Sequence, residues 1–414
     1  MASSPAAGPS VINLGCRLNI AEGGTIRALL GNADILVVNS CAVTNEAVKA
    51  TRRAIRRARR DRPGAILAVT GCAAQIDPAS FAAMPEVDRV IGNADKLARA
   101  AWASTDPLVF GDFVPVAPGQ APAVADGQAR AFVEVQNGCD HSCTFCAIPA
   151  GRGPSRSVPA GAVVDTIARL VDGGKREVVL TGVDLTSYGH DLPGPTTLGG
   201  LVERILRHVP ALERLRLSSL DAPEIDDLLF ALLTQDARMM PHVHLSLQAG
   251  DDLILKRMKR RHARADALAL VARLHAARPD IAIGADLIAG FPTEEEAQFV
   301  NTLALIDDCR IVHAHIFPFS ARSGTPAARM PQVAPEIRRE RAARLREAAA
   351  RRRSGWLASL VGTMQEVLIE APGDHGHAGN FADVRFPVAS AAVGTIAAVR
   401  IVAVTADYLV GVPA

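Results

Sequence analysis

Cys139-Asp140-His141-Ser142-Cys143-Thr144-Phe145-Cys146 sets three thiols with three and then two residues between them, directly after the apolar run at 131–135. A loop this short can bring three sulfurs onto one metal centre. Thiolates are soft ligands that favour iron–sulfur clusters, zinc or Cu(I), and three of them leave one iron of a four-iron cluster without a protein ligand. Structural zinc is the alternative. It takes four protein ligands with paired C-x-x-C spacing, and no His or Cys follows Cys146 at a matching distance. The spacing favours a cluster with an open iron.

Outward from this loop the chain alternates regularly. Strands are expected at 131–135, 177–181, 214–217, 242–247, 281–287 and 311–317, separated by helices that include 163–171, 198–207, 225–233, 263–277 and 294–308. Six strand-helix units imply a parallel sheet curved into a partial barrel. The cysteine loop follows the first strand, hence lies at the carboxyl-end mouth where such folds build active sites.

On the amino-terminal side, apolar strands at 11–14, 34–38 and 65–69 run into Gly15-Cys16, Asn39-Ser40-Cys41 and Thr70-Gly71-Cys72. In an open parallel α/β sheet the carboxyl ends lie on one edge, so Cys16, Cys41 and Cys72 can meet there as ligands of a second cluster. Three buried structural cysteines are the alternative. A helix at 45–62, stopped by Pro63, supplies the crossover and carries Arg52, Arg53, Arg56, Arg57 and Arg60 along one face. Such a face suits a phosphate backbone as well as plain solvent.

The stretch 105–128 is dense in Pro, Gly and Ala, a linker with room for one edge strand. On the carboxyl side, a helix from Pro335 to about Arg353 is a second basic element, with arginines from Arg338 to Arg353. Short β-branched runs at 366–369, 382–386, 394–404 and 408–412 then indicate a small antiparallel barrel suited to gripping RNA. The expected fold class is α/β: an open parallel α/β domain at 10–104, the linker at 105–128, a partial (βα)6 barrel at 129–355 and the small β-barrel at 356–414.

Seven Cys in 414 residues are too few for a disulfide scaffold, and their clustering argues for metal ligands in a reducing cytoplasm. Residues 1–10 lack the basic start and apolar core of an export signal, and the apolar stretch 387–404 is interrupted by Arg400, so no membrane association is expected. A net charge of +2 excludes neither an RNA nor a small-molecule partner, and 4% aromatic residues make broad base-stacking platforms improbable.

The three-cysteine loop resembles that of the radical S-adenosylmethionine (SAM) superfamily, in which SAM occupies the open iron. Taken with three strand-end cysteines and a terminal barrel, the whole chain from Val11 resembles the methylthiotransferase family of that superfamily. The motifs that carry the likeness are Asn39-Ser40-Cys41-Ala42-Val43-Thr44, Val69-Thr70-Gly71-Cys72, Ile148-Pro149-x-x-Arg152-Gly153-x-x-Arg156-Ser157, Leu245-Ser246-Leu247-Gln248, Gly284-x-Asp286, Gly290-Phe291-Pro292 and Phe317-Pro318-Phe319-Ser320. The segment at 39–44 and Ser323-Gly324-Thr325-Pro326-Ala327 are most similar to the MtaB branch. The chain departs from the family in a short stretch between Cys16 and Cys41, with room for only a brief helix at 23–30, and in Ala249 where a Ser usually follows Gln.

The resemblance implies two [4Fe-4S] clusters, on Cys139, Cys143 and Cys146 and on Cys16, Cys41 and Cys72, together with SAM. It implies hydrogen abstraction from adenine C2 by a SAM-derived radical and delivery of CH3S from the second cluster, on N6-threonylcarbamoyladenosine beside the tRNA anticodon. An aromatic C–H without an acidic proton is beyond acid–base catalysis, so the cofactor carries the hard step. Isopentenyladenosine in tRNA, an aspartate of a ribosomal protein, and a non-catalytic iron–sulfur RNA-binding or redox module are the other readings. The terminal barrel resembles the TRAM domain, which implies tRNA contact; a small reductant protein such as flavodoxin or ferredoxin, and a monomeric state, complete the expectation.

Further positions follow from strand ends. Thr181 and Gly182 end the second barrel strand where the superfamily meets the SAM amino group, and Gln248 and Asp286 are expected at the mouth as SAM or substrate contacts. Arg152, Arg156 and Arg322 are candidates to pair with a carboxylate of SAM or substrate. His313 and His315 read as packed or hydrogen-bonded histidines, and Cys309 as a buried apolar residue.

Overall fold

The computed structural model describes residues 8–117, 119–125, 129–386 and 391–414. The start of the 1–10 segment, four positions of the 105–128 linker and the first residues of the 387–404 stretch lie outside the described residues.

The amino-terminal strands Ser10–Asn13, Ile35–Ser40, Ile66–Gly71, Arg89–Ile91 and Leu108–Val109 form one parallel sheet in chain order. Alternation along the strands fills both faces. Val37 and Ala68 pack with Ile26, Leu30 and Trp102 on one side, while Val38, Leu67 and Val69 pack with Ile55, Ala58 and Phe81 on the other. The register sets Asn13 beside Asn39, Asn39 beside Thr70 and Ser40 beside Gly71, so three strands end level. That level edge brings Cys16, Cys41 and Cys72 to one side of the sheet. The linker's Leu108–Val109 is the expected edge strand.

One expectation fails here. The stretch after Cys16 forms a 14-residue helix, Arg17–Leu30, rather than a brief turn of helix at 23–30. Gly23 and Gly24, which break helices when exposed, serve close packing. A Cβ on Gly23 would stand 2.1 Å from Asn13 Oδ1, and one on Gly24 would stand 2.4 Å from the Val124 carbonyl.

The central strands Arg130–Glu134, Glu177–Thr181, Arg214–Leu217, His242–Gln248, Ala282–Ala289 and Ile311–Pro318 curve in that order into a partial barrel. Bridges Leu215 to Met239 and Leu220 to Leu245 join its two halves, and Val124–Ala125 adds an antiparallel edge. Helices cover the outside, and one apolar core runs through Val133, Leu180, Leu217, Leu245 and Leu287. The helix Pro335–Ser359 continues past the expected Arg353 and packs along Ile311–Pro318. Its Arg341, expected among exposed cations, is buried and paired with Glu294 at 2.9 Å.

Strands Met364–Glu370, His375–Ala378, Asp383–Arg385, Ile396–Val404 and Leu409–Pro413 close into a small barrel. It is antiparallel except that Asp383–Arg385 runs parallel to Leu409–Pro413. Its Phe381 reaches the central barrel, stacked on His242 with ring centres 5.1 Å apart. Among the described residues no helix is long and apolar enough to cross a membrane.

Candidate active site

Beyond Glu134, the Cys139 loop is closed at its base by the antiparallel pair Gln136–Asn137 and Arg156–Ser157. Gly138 permits this closure: at φ +74, a Cβ there would lie 1.8 Å from the Pro154 carbonyl. Within the loop, backbone amides point at sulfur. The His141 N–H donates to Cys139 Sγ and the Ile148 N–H to Cys146 Sγ, both at 3.4 Å, and Arg260 Nη1 stands 3.6 Å from Cys143 Sγ. Burial pushes the Cys139 and Cys146 thiols up, Cys146 to about 11, so a metal centre must displace their protons. Soft donors converging with amide support fit an iron–sulfur cluster. The three cysteines share a cavity of about 130 Å³ with Phe145, Asp184, Gln248 and Arg260. Asp184 accepts from Cys139 Sγ at 3.5 Å and pairs with His141 at 2.8 Å.

The second set is assembled by the sheet. Gly15 turns at φ +110 so tightly that a Cβ would meet Cys41 Sγ at 2.9 Å, and Cys16 begins the following helix. Burial raises the Cys41 thiol to about 11, with Cys72 and Cys16 adding to the rise, a sign that the three sulfurs sense one another. Behind Cys72 lies a buried ion network. Arg152 Nε donates to Cys72 Sγ at 3.2 Å, its terminal nitrogens to Glu22 at 2.8 and 3.1 Å and to Asn19 at 2.6 Å, and Lys96 Nζ pairs with Glu22 at 2.6 Å. Burial pushes Glu22 up, but Arg152 and Lys96 outweigh it and hold the carboxyl at about 2.

This corrects the expectation for Arg152. Its guanidinium is 1% exposed and fully engaged at the sheet cysteines, not offered to a SAM or substrate carboxylate. Arg156 is not at the mouth either: it lies over the Phe113 ring at 4.8 Å and donates to the Pro154 and Arg152 carbonyls. Arg322 donates to Asn45 Oδ1 at 2.5 Å.

Between the two cysteine sets lies a cavity of about 630 Å³, whose lining includes Cys16, Cys41, Phe145, Thr181, Gly182 and Gln248. Asp286 also lines it, so four of the expected contacts meet in one place. Gln248 ends its strand at φ +67, a conformation uncommon for a residue with a side chain, and faces both this cavity and the Cys139 cavity. Asp286 Oδ1 is 3.1 Å from both His244 Nε2 and His315 Nδ1. His313, by contrast, is packed: it lies 3.2 Å from the Asn380 carbonyl and 2.8 Å from Arg353, and burial lowers its pKa to about 3. Cys309 is fully buried, its thiol raised to about 12.

On helix Asn45–Asp61, Arg53, Arg56, Arg57 and Arg60 are exposed and line one shallow trough. Arg52 belongs elsewhere, over the Phe81 ring at 4.9 Å and bonded to Ser80 Oγ at 2.9 Å.

Sequence reasoning missed Asn19, Glu22 and Lys96 beside the sheet cysteines, and Asp184 and Arg260 beside the loop. For the first pair a signal existed, since Asn19 and Glu22 recur on one helix face in the turns after Cys16.

Comparison with known proteins identifies the family. Residues 133–306 match the model of the radical SAM superfamily, and residues 10–92 match that of the uncharacterized protein family UPF0004. The chain is 45% identical to the threonylcarbamoyladenosine tRNA methylthiotransferase MtaB of Rickettsia prowazekii, over 96% of each chain. It is 34% identical to the MtaB of Chlamydia pneumoniae over 97% of each. It is also 34% identical to the tRNA-2-methylthio-N6-dimethylallyladenosine synthase of Erythrobacter litoralis, over 88% of this chain and 87% of that one. In fold it resembles the radical SAM methyltransferase TsrM of Kitasatospora setae, solved with cobalamin and a [4Fe-4S] cluster, with a TM-score of 0.51 at 16% identity over 75% of this chain and 68% of that one. The chain belongs to the radical SAM methylthiotransferase family, in its MtaB branch.

Proposed function

We propose that this enzyme adds CH3S to C2 of N6-threonylcarbamoyladenosine next to the anticodon of tRNA, with Cys139, Cys143 and Cys146 as ligands of one [4Fe-4S] cluster and Cys16, Cys41 and Cys72 as ligands of a second. The observation that carries the reading is the 630 Å³ cavity, to which Cys16 and Cys41 come from one side and Phe145, Thr181 and Gln248 from the other. Membership of a radical SAM family implies a [4Fe-4S] cluster and SAM. When bound, these groups supply the radical that removes the C2 hydrogen and the sulfur and methyl that replace it.

The chain's own residues do the rest. Thr181, Gly182, Gln248 and Asp286 orient SAM and the base, and the cavity walls keep water from the reacting carbon. Arg152 and Asn93 hold Cys72 from behind: Nε of Arg152 is 3.2 Å from the sulfur, which stabilises it as a thiolate ligand. The exposed arginines of Asn45–Asp61 and the small terminal barrel grip the tRNA. A small flavodoxin- or ferredoxin-like protein supplies electrons, and the enzyme acts as a cytoplasmic monomer.

Mass spectrometry of digested tRNA from a strain lacking the protein tests the substrate. The 2-methylthio form of threonylcarbamoyladenosine should vanish while its unthiolated parent remains. Loss of methylthio-isopentenyladenosine alone would refute the substrate and leave the chemistry standing.

A further inference from the structure

The cavity between the cysteine sets contains a cation that no acid of the described residues pairs with. Arg17 follows Cys16 at the rim and lines the cavity with Ser218, His244, Asp286 and His315. Its guanidinium runs inward, to 5.5 Å from the Phe381 ring. It lies in the field of Arg130, Arg216, Glu177 and Asp286, of which Arg130 and Glu177 open their strands at the end of the barrel opposite Thr181. Among the described residues no hydrogen bond or ion pair reaches it.

Neighbouring acids are already committed. Glu177 is held by Arg130 and Arg216 at 2.8 Å each and lies 3.6 Å from Arg214. Glu370 is taken by Arg130 and His377, both at 2.6 Å, and Asp286 by His244 and His315. Arg216 also donates to the Gly379 and Ala378 carbonyls. Arg17 alone in this group is left half-buried without such a partner among the described residues. A desolvated cation without a direct ion pair is a cost to the fold that an incoming anion relieves.

The geometry of the base says which anion. C2 and the exocyclic N6 flank N1 on one edge of adenine, so a base whose C2 faces the cysteines at the mouth keeps its N6 substituent within the same cavity. We propose that Arg17 is a specificity-determining residue that receives the carboxylate of the threonylcarbamoyl group there. The inference rests on the substrate reading above. A guanidinium matches a carboxylate bidentately, and Ser218, His244 and His315 offer hydrogen-bonding partners around it. An isoprenoid in the same place would leave the guanidinium unpaired, so one residue both selects the acid and rejects the apolar analogue.

The test is equilibrium binding by the cluster-loaded enzyme, at fixed salt, of two synthetic anticodon stem-loops. One carries N6-threonylcarbamoyladenosine, the other its carboxamide, alike but for the charge. The wild type should prefer the acid by about 30-fold, Arg17→Gln should bind the two within a factor of about three, and Arg17→Lys should keep an intermediate preference. Because each preference is a ratio within one protein, a general loss of stability cancels. A Gln variant that retains the full preference overturns the assignment, as does one that loses the same factor with both RNAs, which would make Arg17 a structural tie to Phe381. A wild type indifferent to the charge overturns it too. If Arg17→Gln fails to fold, the wild-type and Arg17→Lys ratios decide. Failure of the underlying substrate reading looks different: the wild type would then methylthiolate an isopentenyladenosine stem-loop and leave the threonylcarbamoyl one unchanged.

Discussion

The loop of Cys139, Cys143 and Cys146 and the sheet edge of Cys16, Cys41 and Cys72 gather three sulfurs by opposite means. In the loop, neighbouring residues do most of the gathering: amides two positions beyond Cys139 and Cys146 donate to their sulfurs, one short antiparallel pair closes the base, and Asp184 and Arg260 add contacts to Cys139 and Cys143. At the sheet edge, each cysteine arrives on a different strand end, and its support comes from far along the chain. Arg152 of the central barrel reaches Cys72, while Glu22 is the buried counter-charge shared by Arg152 and Lys96. A site made by a loop depends on local turns. A site made by a sheet depends on the docking of two domains.

The sharpest way to break that comparison is to remove each set in turn. Replacing Cys139, Cys143 and Cys146 with Ala should abolish SAM cleavage altogether and lower reconstituted iron from about eight to about four per chain. Iron content unchanged by the triple replacement would show that the loop holds no cluster. Cys41→Ala should cost less: 5′-deoxyadenosine should still form under a strong reductant, with no methylthio product. Retained methylthiolation would remove Cys41 from the ligand set.

The supports should differ as much as the ligands. Glu22→Gln leaves Arg152 and Lys96 without their buried counter-charge and should destabilise the protein by about 3–5 kcal/mol in denaturant titration. Asp140→Asn, at an exposed bond to the Ser155 amide in the loop, should change stability little. The acid limb carries the sign. Glu22 has a depressed folded pKa of about 2, so its contribution is complete above its ordinary value of 4.5 and is lost as pH falls between the two. Glu22→Gln should therefore flatten stability against pH in that window, and an acid limb identical to wild type would mean that the network adds nothing.

The smallest effect concerns RNA beside the sheet site. Converting Arg53, Arg56, Arg57 and Arg60 to Gln should reduce the salt dependence of tRNA binding by about 0.9 log unit per decade of salt for each phosphate that is no longer neutralised. Arg52→Gln should leave the slope alone, because that side chain is already spent on Phe81 and Ser80. A slope unmoved by the four replacements would return this face to plain solvation.

Much of the molecule was legible in the chain itself. The strand-helix alternation, the cysteine spacing of the loop and the three strands that end on cysteine are short-range patterns, and hydrophobic periodicity with turn chemistry reports such patterns directly. The likeness to known sequences added the substrate class. What escaped was whatever depends on a distant partner. The stretch after Cys16 read as room for only a brief helix at 23–30 until the neighbours that Gly23 and Gly24 admit were in place. Arg152 read as a ligand for a small acid, and only the packing of two domains gave it to Glu22 and Cys72. Lys96 and Arg341 look in sequence like any surface cation. Burial beside Glu22 and Glu294 makes them structural, whereas no acid among the described residues forms an ion pair with Arg17. The reason is electrostatic: a charge is worth little in water and much once water is excluded, and distance and dielectric are set by the tertiary fold rather than by order along the chain.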